Sequence, residues 1–269
     1  MSFSATARLV ALGVLCEARA GRARGVPAPT RRLAALAIPA WLRGRVAEAL
    51  LRRVEALLLP GIAAHYVARK RCFWHAAQQA VASGIERAVV LAPGCDGIGL
   101  ALRELGVEVI EVLHPREEVV RARLVGSGQP PCVVADLAAA PEAIRALALD
   151  PRPTLWIAEA VLMYLPPSRA HALLRALHAA RAPQTVLFSA MQPRSDGQAG
   201  FEGASNWVAR WLASVREPFR WALAPQALRR VLARAGYDVI DSANEAPTEG
   251  WCAGETVYVA QAAAHRRRR

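Results

Sequence analysis

Apolar positions in the first 80 or so residues recur at helical intervals, and from Arg87 onward they gather into short runs. Leu42, Val46, Leu50 and Leu51 share one helical face, as do Val54, Leu57 and Leu58, until Pro60 and Gly61 end the pattern. The run 9–16 reads as part of a buried helix, and a Pro/Gly-rich basic stretch at 21–32 breaks the helical texture. Downstream, apolar runs at 88–92, 107–113, 132–135, 154–159 and 185–190 alternate with helical segments at 99–105, 116–124, 141–147 and 168–180. That alternation predicts a parallel, doubly wound sheet with helices on both faces. The end departs from it: a helix at 225–235, a strand at 237–241 and a last strand at 255–261 joined by a connection too short for a crossover helix. The last strand must therefore pair antiparallel. The expected fold is α/β: a Rossmann-like, seven-stranded sheet over 85–265 with the last strand antiparallel, a lid insertion at about 191–223, an N-terminal helical cap over 1–84 and a basic tail at 266–269.

Candidate chemistry collects where the strands end. The turn Ala92-Pro93-Gly94-Cys95-Asp96-Gly97 leads into a helix, and its glycines let the backbone approach an anion or carboxylate at the helix N-terminus. Three acids, Glu111, Asp136 and Glu159, fall at or near strand ends, the edge at which open α/β sheets bind ligands. A sheet with a terminal antiparallel hairpin is the architecture of class I methyltransferases, and such acids suit a nucleoside and an amino-acid moiety.

The stretch Pro153-Thr154-Leu155-Trp156-Ile157-Ala158-Glu159-Ala160-Val161-Leu162-Met163-Tyr164-Leu165 resembles the fourth-strand motif of the leucine carboxyl methyltransferase-like, S-adenosylmethionine-dependent methyltransferases. Weaker matches run from Arg69 onward: Arg69-Lys70-Arg71, the turn at Gly94 and Asp96, Glu111 with His114-Pro115, Asp136-Leu137 and Glu217-Pro218-Phe219-Arg220. The resemblance implies S-adenosylmethionine as cofactor, Arg69 on its carboxylate, Gly94 and Asp96 near its methionine portion, Asp136 and Leu137 flanking adenine, and Glu159 by the methionine end. It implies transfer of the methyl group to a small-molecule acceptor, at a carboxylate or hydroxyl oxygen. Two positions depart from the family pattern. Ala92-Pro93-Gly94 stands where the family has Gly-Ala-Gly, and Leu113 stands in place of the aspartate expected on the ribose. Glu111, on the same strand face as Leu113, is the expected substitute. An acidic residue is also missing near Trp74 and His75.

A general base is needed for a hydroxyl acceptor and not for a carboxylate, and the catalytic candidates are Glu159 and Tyr164. Tyr164 is read as a packed tyrosine or a substrate contact, and His114 as a turn residue or a nucleoside ligand. Trp207 and Trp211 share a helical face, with core packing as the default and an apolar wall of the substrate pocket as the alternative.

Charge changes this picture little. The formal net charge is +12, but Lys70 is the sole lysine among 34 basic residues, a skew expected of a GC-rich genome. A nucleic-acid methyltransferase rests on charge alone and is disfavoured, and a catalytically silent binding or assembly subunit is the other alternative. The five scattered cysteines lack metal-ligand spacing, so no metal is expected. Without a leader or a membrane span, the chain is expected in the cytoplasm.

Overall fold

The computed structural model describes residues 3–178, 183–242 and 250–262, so the basic tail and the end of the helix expected at 168–180 lie outside the described residues. Four helices precede the first strand: α1 (Ala5–Arg19), α2 (Ala28–Ala37), α3 (Arg45–Leu58) and α4 (Ile62–Ala82). Then come β1 (Arg87–Leu91), α5 (Ile98–Glu104), β2 (Glu108–Leu113), α6 (Glu118–Val125), β3 (Cys132–Val134), α7 (Arg145–Ala148), β4 (Thr154–Ala158), α8 (Pro167–Ala176), β5 (Gln184–Met191), α9 (Asn206–Ser214), α10 (Pro225–Arg234), β6 (Tyr237–Ser242) and β7 (Glu255–Ala262). No helix among the described residues is long and apolar enough to cross a membrane.

The seven strands form one sheet in the order β3-β2-β1-β4-β5-β7-β6, with β7 antiparallel to both β5 and β6. Every residue of β1, β4 and β5 is buried, which is why these strands read as continuous apolar runs. Trp156 lies in the larger core layer and donates its indole N–H to Gln184 Oε1 at 2.5 Å. The opposite layer is closed by α4, whose Phe73 and Ala77 cluster with Val90, Ile157 and Leu187. Helix α4 therefore covers the sheet as well as supporting the helices before it.

Strands β1, β3 and β4 each stop one residue short of the sequence expectation, and for β1 and β4 the reason is shared. Ala92 turns to φ +46° after β1, and the residue after Glu159, Ala160, turns to φ +51° after β4. The left-handed backbone swings the following groups out of the sheet and toward the ligand edge. The helix expected at 141–147 is instead a 3-10 turn (Pro141–Ile144) followed by the short α7.

The N-terminal helices sit directly on the glycine turn. A Cβ on Gly97 would lie 2.4 Å from the Pro29 carbonyl carbon, and one on Gly94 would lie 3.1 Å from Ala7 Cβ. Only glycine permits α2 to approach at Gly97. Helix α3 differs from its neighbours in that none of its residues is fully buried.

Candidate active site

A cavity of about 1120 Å³ opens beyond the carboxyl ends of the parallel strands, roofed by α1 and α3 and flanked by α9. Its polar end is floored by Gly94, Asp96, Asp136, Leu137 and Glu159, with Arg69 and Lys70 reaching in from α4. Glycine turn, third-strand acid and fourth-strand acid thus share one wall.

The polar end rests on a buried ionic network. Arg69 donates from Nε to Glu159 Oε1 (2.9 Å) and from Nη1 to Glu255 Oε2 (2.9 Å), and Lys70 Nζ bridges Asp96 Oδ2 (2.8 Å) and Glu159 Oε1 (2.9 Å). Asp96 is used up within the protein: its other oxygen accepts from Thr30 Oγ1 at 2.7 Å and from the Gly97 N–H at 2.6 Å. Burial acts to raise the Asp96 pKa, but Lys70 and these donors outweigh it and lower the value. His65 Nδ1 accepts the Cys252 backbone N–H at 3.1 Å, so the ring proton sits on Nε2, which faces Glu255 Oε2 at 2.7 Å. With His65 neutral, three carboxylates face two fixed cations. The imbalance is local: Glu159 Oε2 is buried and has no hydrogen-bond partner among the described residues.

Glu255 is the hub of this network, and its protonation gives a pH test. Burial would raise its pKa, but Arg69 and then His65 reverse the effect and hold it at about 2, below the ordinary 4.5. A depressed carboxylate contributes stability that is complete above its unfolded pKa and is lost as pH falls through the folded one. The melting temperature is therefore expected to drop as pH is lowered from about 5 to about 3, and Glu255→Gln is expected to flatten that slope. Differential scanning calorimetry across the range checks both.

At β2 the structure corrects the sequence reading. Glu111 is buried and its carboxylate is taken by Arg121, through Nη2 at 2.5 Å and Nε at 2.9 Å, and by Gln129 Nε2 at 3.0 Å. Neither Glu111 nor Leu113 lines the cavity; Val112 and His114, on the alternate face, do. Glu111 is thus no substitute for a ribose ligand. Through Arg121, which also donates to the Gly94 and Asp96 carbonyls at 3.1 and 2.7 Å, it braces the glycine turn from behind. The polar residues lining the cavity here include His114 and Asp136, with Nε2 and Oδ2 3.7 Å apart. His114 Nδ1 accepts the Arg116 N–H at 3.1 Å within the turn, and the residue lines the cavity. Asp136 Oδ1 likewise accepts the Ala138 N–H at 2.9 Å, leaving Oδ2 toward His114.

The start of α1 closes the top. Glu217 accepts the backbone N–H groups of Ala5 and Thr6 at 2.9 Å each and the Thr6 hydroxyl at 2.5 Å, while Glu117 accepts the Ser4 N–H at 2.9 Å. A carboxylate at a helix N-terminus satisfies orphan donors and suits the helix dipole. Replacing Glu217 by Ala is expected to raise amide exchange at Ala5 and Thr6 about tenfold or more, with the β4 and β5 amides unchanged. Hydrogen exchange read by mass spectrometry distinguishes this local opening from general destabilisation.

Tyr164 lines the cavity beside Phe219, ring centroids 5.5 Å apart. Burial pushes its hydroxyl pKa up to about 12, against a hydrogen bond with Thr6 and the field of Arg69. Trp207 and Trp211 are not core residues, contrary to the default expectation: they are 65% and 37% exposed, and Trp211 lines the cavity. The sequence reading missed His65, Thr30, Lys70 and Glu255 as a group. The one available signal was Lys70, the only lysine in a chain that otherwise uses arginine.

Comparison with known proteins places this arrangement. A Frankia alni protein assigned by name to the S-adenosyl-L-methionine-dependent methyltransferases is 32% identical over 152 residues, 52% of this chain and 50% of that one. A Mycolicibacterium gilvum protein with the same assignment is 39% identical over 116 residues, 40% of this chain and 38% of that one. The chain spans about half, or less, of the length of these curated relatives. A Thermobifida fusca crystal structure, described as that of a methyltransferase, superposes with a TM-score of 0.59 at 17% identity, over 88% of this chain and 96% of that one. That likeness shows the fold, the class I methyltransferase sheet with its antiparallel β7. The leucine carboxyl methyltransferase family model matches residues 31–178, more than half of the chain, from α2 through α8 and across the glycine turn, Asp136 and Glu159. The chain belongs to the leucine carboxyl methyltransferase family.

Proposed function

We propose that this chain binds S-adenosylmethionine at the polar end of the cavity and catalyses transfer of its methyl group to an oxygen of a small molecule. The observation that carries the cofactor reading is the unpartnered, buried Oε2 of Glu159, in a network with one carboxylate more than it has fixed cations. A buried acceptor in such surroundings calls for a cationic donor, and the α-ammonium of the methionine portion is one. Arg69 Nη2, with no partner among the described residues, is suited to the adjacent carboxylate. Asp136 and Leu137 are suited to flank the adenine, and His114 to bind a ribose hydroxyl in place of the absent aspartate. The cofactor, when bound, supplies an electrophilic methyl group on its sulfonium.

The rest is done by positioning. Tyr164 keeps its proton near neutral pH, so it donates a hydrogen bond to an acceptor and does not remove a proton from one. Glu159 is committed to Arg69 and Lys70 through one oxygen, and its other oxygen would hold the cofactor's ammonium. With neither serving as a base, the site favours an oxygen that is already anionic, a carboxylate, over a hydroxyl. Helix α1, held down by Glu217, excludes water from the transfer.

The test is transfer of label from methyl-tritiated S-adenosylmethionine to a panel of carboxylic acids and alcohols. Mild base releases label from a methyl ester as methanol but leaves a methyl ether intact. Base-labile product from the wild type, reduced by Tyr164→Phe through KM more than kcat, is the expected result. No product from any acceptor, in protein that still binds S-adenosylhomocysteine, would favour a silent binding subunit.

A further inference from the structure

The cavity is larger than one cofactor requires and chemically divided. Its volume of about 1120 Å³ exceeds the roughly 300–1,000 Å³ of pockets that enclose one small ligand. Away from the ionic network, the wall is formed by Leu51, Val54 and Leu58 of α3 and by Val208, Trp211 and Leu212 of α9. The two acids at this end are occupied. Glu55 accepts the Ala63 N–H at 3.0 Å and pairs with Arg52 at 3.4 Å, and Glu217 holds α1.

A backbone hydrogen bond joins the two helices. The Ser205 N–H donates to the Leu58 carbonyl at 2.8 Å, fixing the start of α9 to the end of α3. From that junction the lining residues run back along α3 through Val54 to Leu51 and forward along α9 from Val208 to Trp211 and Leu212. Val54 and Trp211 are at the rim, lining the cavity while 40% and 37% exposed. At 3.6 residues per turn, Leu50 and Leu57 lie beside Val54 on the outward side of α3, and they are 63% and 79% exposed. Trp207, one turn before Trp211, continues the strip on α9 at 65% exposure. Apolar residues thus extend from the cavity wall to the outer surface, where the Arg210 guanidinium lies over the Trp207 ring, 5.4 Å from its centroid.

We propose that the methyl acceptor is an elongated apolar molecule carrying a single carboxylate, with its head beside Tyr164 and its apolar body lying along the apolar cavity-lining residues of α3 and α9. This rests on the reading of the polar end as the cofactor's. An apolar surface of this kind gains nothing from a small polar acid, whereas each buried methylene strengthens binding about threefold to fourfold.

Calorimetric titration with dodecanoate and with butanoate, each with S-adenosylhomocysteine saturating, tests the idea, because the two probes share a head group and differ only in chain. Dodecanoate is expected to bind wild-type protein at least a hundredfold more tightly than butanoate. Val54→Asp, at a half-exposed position that tolerates charge, is expected to weaken dodecanoate binding at least tenfold and to leave S-adenosylhomocysteine affinity within twofold. Dodecanoate binding no tighter than butanoate, or unaffected by Val54→Asp, overturns the proposal. If S-adenosylhomocysteine fails to bind, the titrations are run without it: the cofactor reading then falls, while dodecanoate binding and its loss in Val54→Asp still report on the apolar site.

Discussion

Replacing Arg121 by methionine is expected to cost about 3–5 kcal/mol of folding stability, the usual effect of removing one partner of a buried ion pair. Arg121 and Glu111 have side chains only 1% and 0% exposed, and among the described residues no other cation pairs with Glu111; Gln129 offers it a neutral amide alone. The same guanidinium holds the Gly94 and Asp96 carbonyls, so the loss reaches the glycine turn as well as the strand. Glu111→Leu combined with Arg121→Met removes both charges and is expected to regain most of the stability, because apolar replacements for a buried pair are often neutral. It should not regain ligand affinity, since the two carbonyls remain without their donor. Urea unfolding of the single and double variants measures the first effect, and ligand titration of the double variant the second. A single variant as stable as the wild type would contradict the placement of this pair.

The second large effect is expected at Glu159. Glutamine has nearly the same shape but no charge, so Glu159→Gln keeps the packing around β4 and removes the anion that Arg69 and Lys70 share. A hydrogen bond to a charged group contributes about 1.5–3 kcal/mol, which corresponds to a loss in S-adenosylhomocysteine affinity of about tenfold to a hundredfold. The loss should be confined to ligands that carry the amino-acid portion. 5′-Methylthioadenosine, which has the nucleoside but no ammonium, should bind wild type and Glu159→Gln alike. Equal loss for both ligands would mean that the substitution had disturbed the whole site.

How much of this was legible beforehand differs between elements, for physical reasons. Buried parallel strands are continuous apolar runs, so β1, β4 and β5 stood out, and the short connection before β7 forced its antiparallel pairing. Asp136 and Glu159 follow strand ends, and both reach the cavity. Glu111 failed because its place in the chain says that it is near the ligand edge but not on which sheet face; the alternation of β2 turns it toward Arg121. The ionic network was hidden by distance along the chain. His65 and Glu255 are 190 residues apart, and local spacing carries no trace of their contact. Trp207 and Trp211 had the spacing of a packed helix, but amphipathic spacing does not distinguish a face against the core from one bordering an open cavity.

The most direct test is calorimetric titration of the folded wild-type chain with S-adenosylhomocysteine and 5′-methylthioadenosine, alongside Asp136→Ala. Micromolar binding of S-adenosylhomocysteine, weaker binding of the nucleoside alone, and loss of both in Asp136→Ala is the expected result. Failure of the folded wild type to bind S-adenosylhomocysteine would contradict the assignment of the polar end of the cavity to the cofactor.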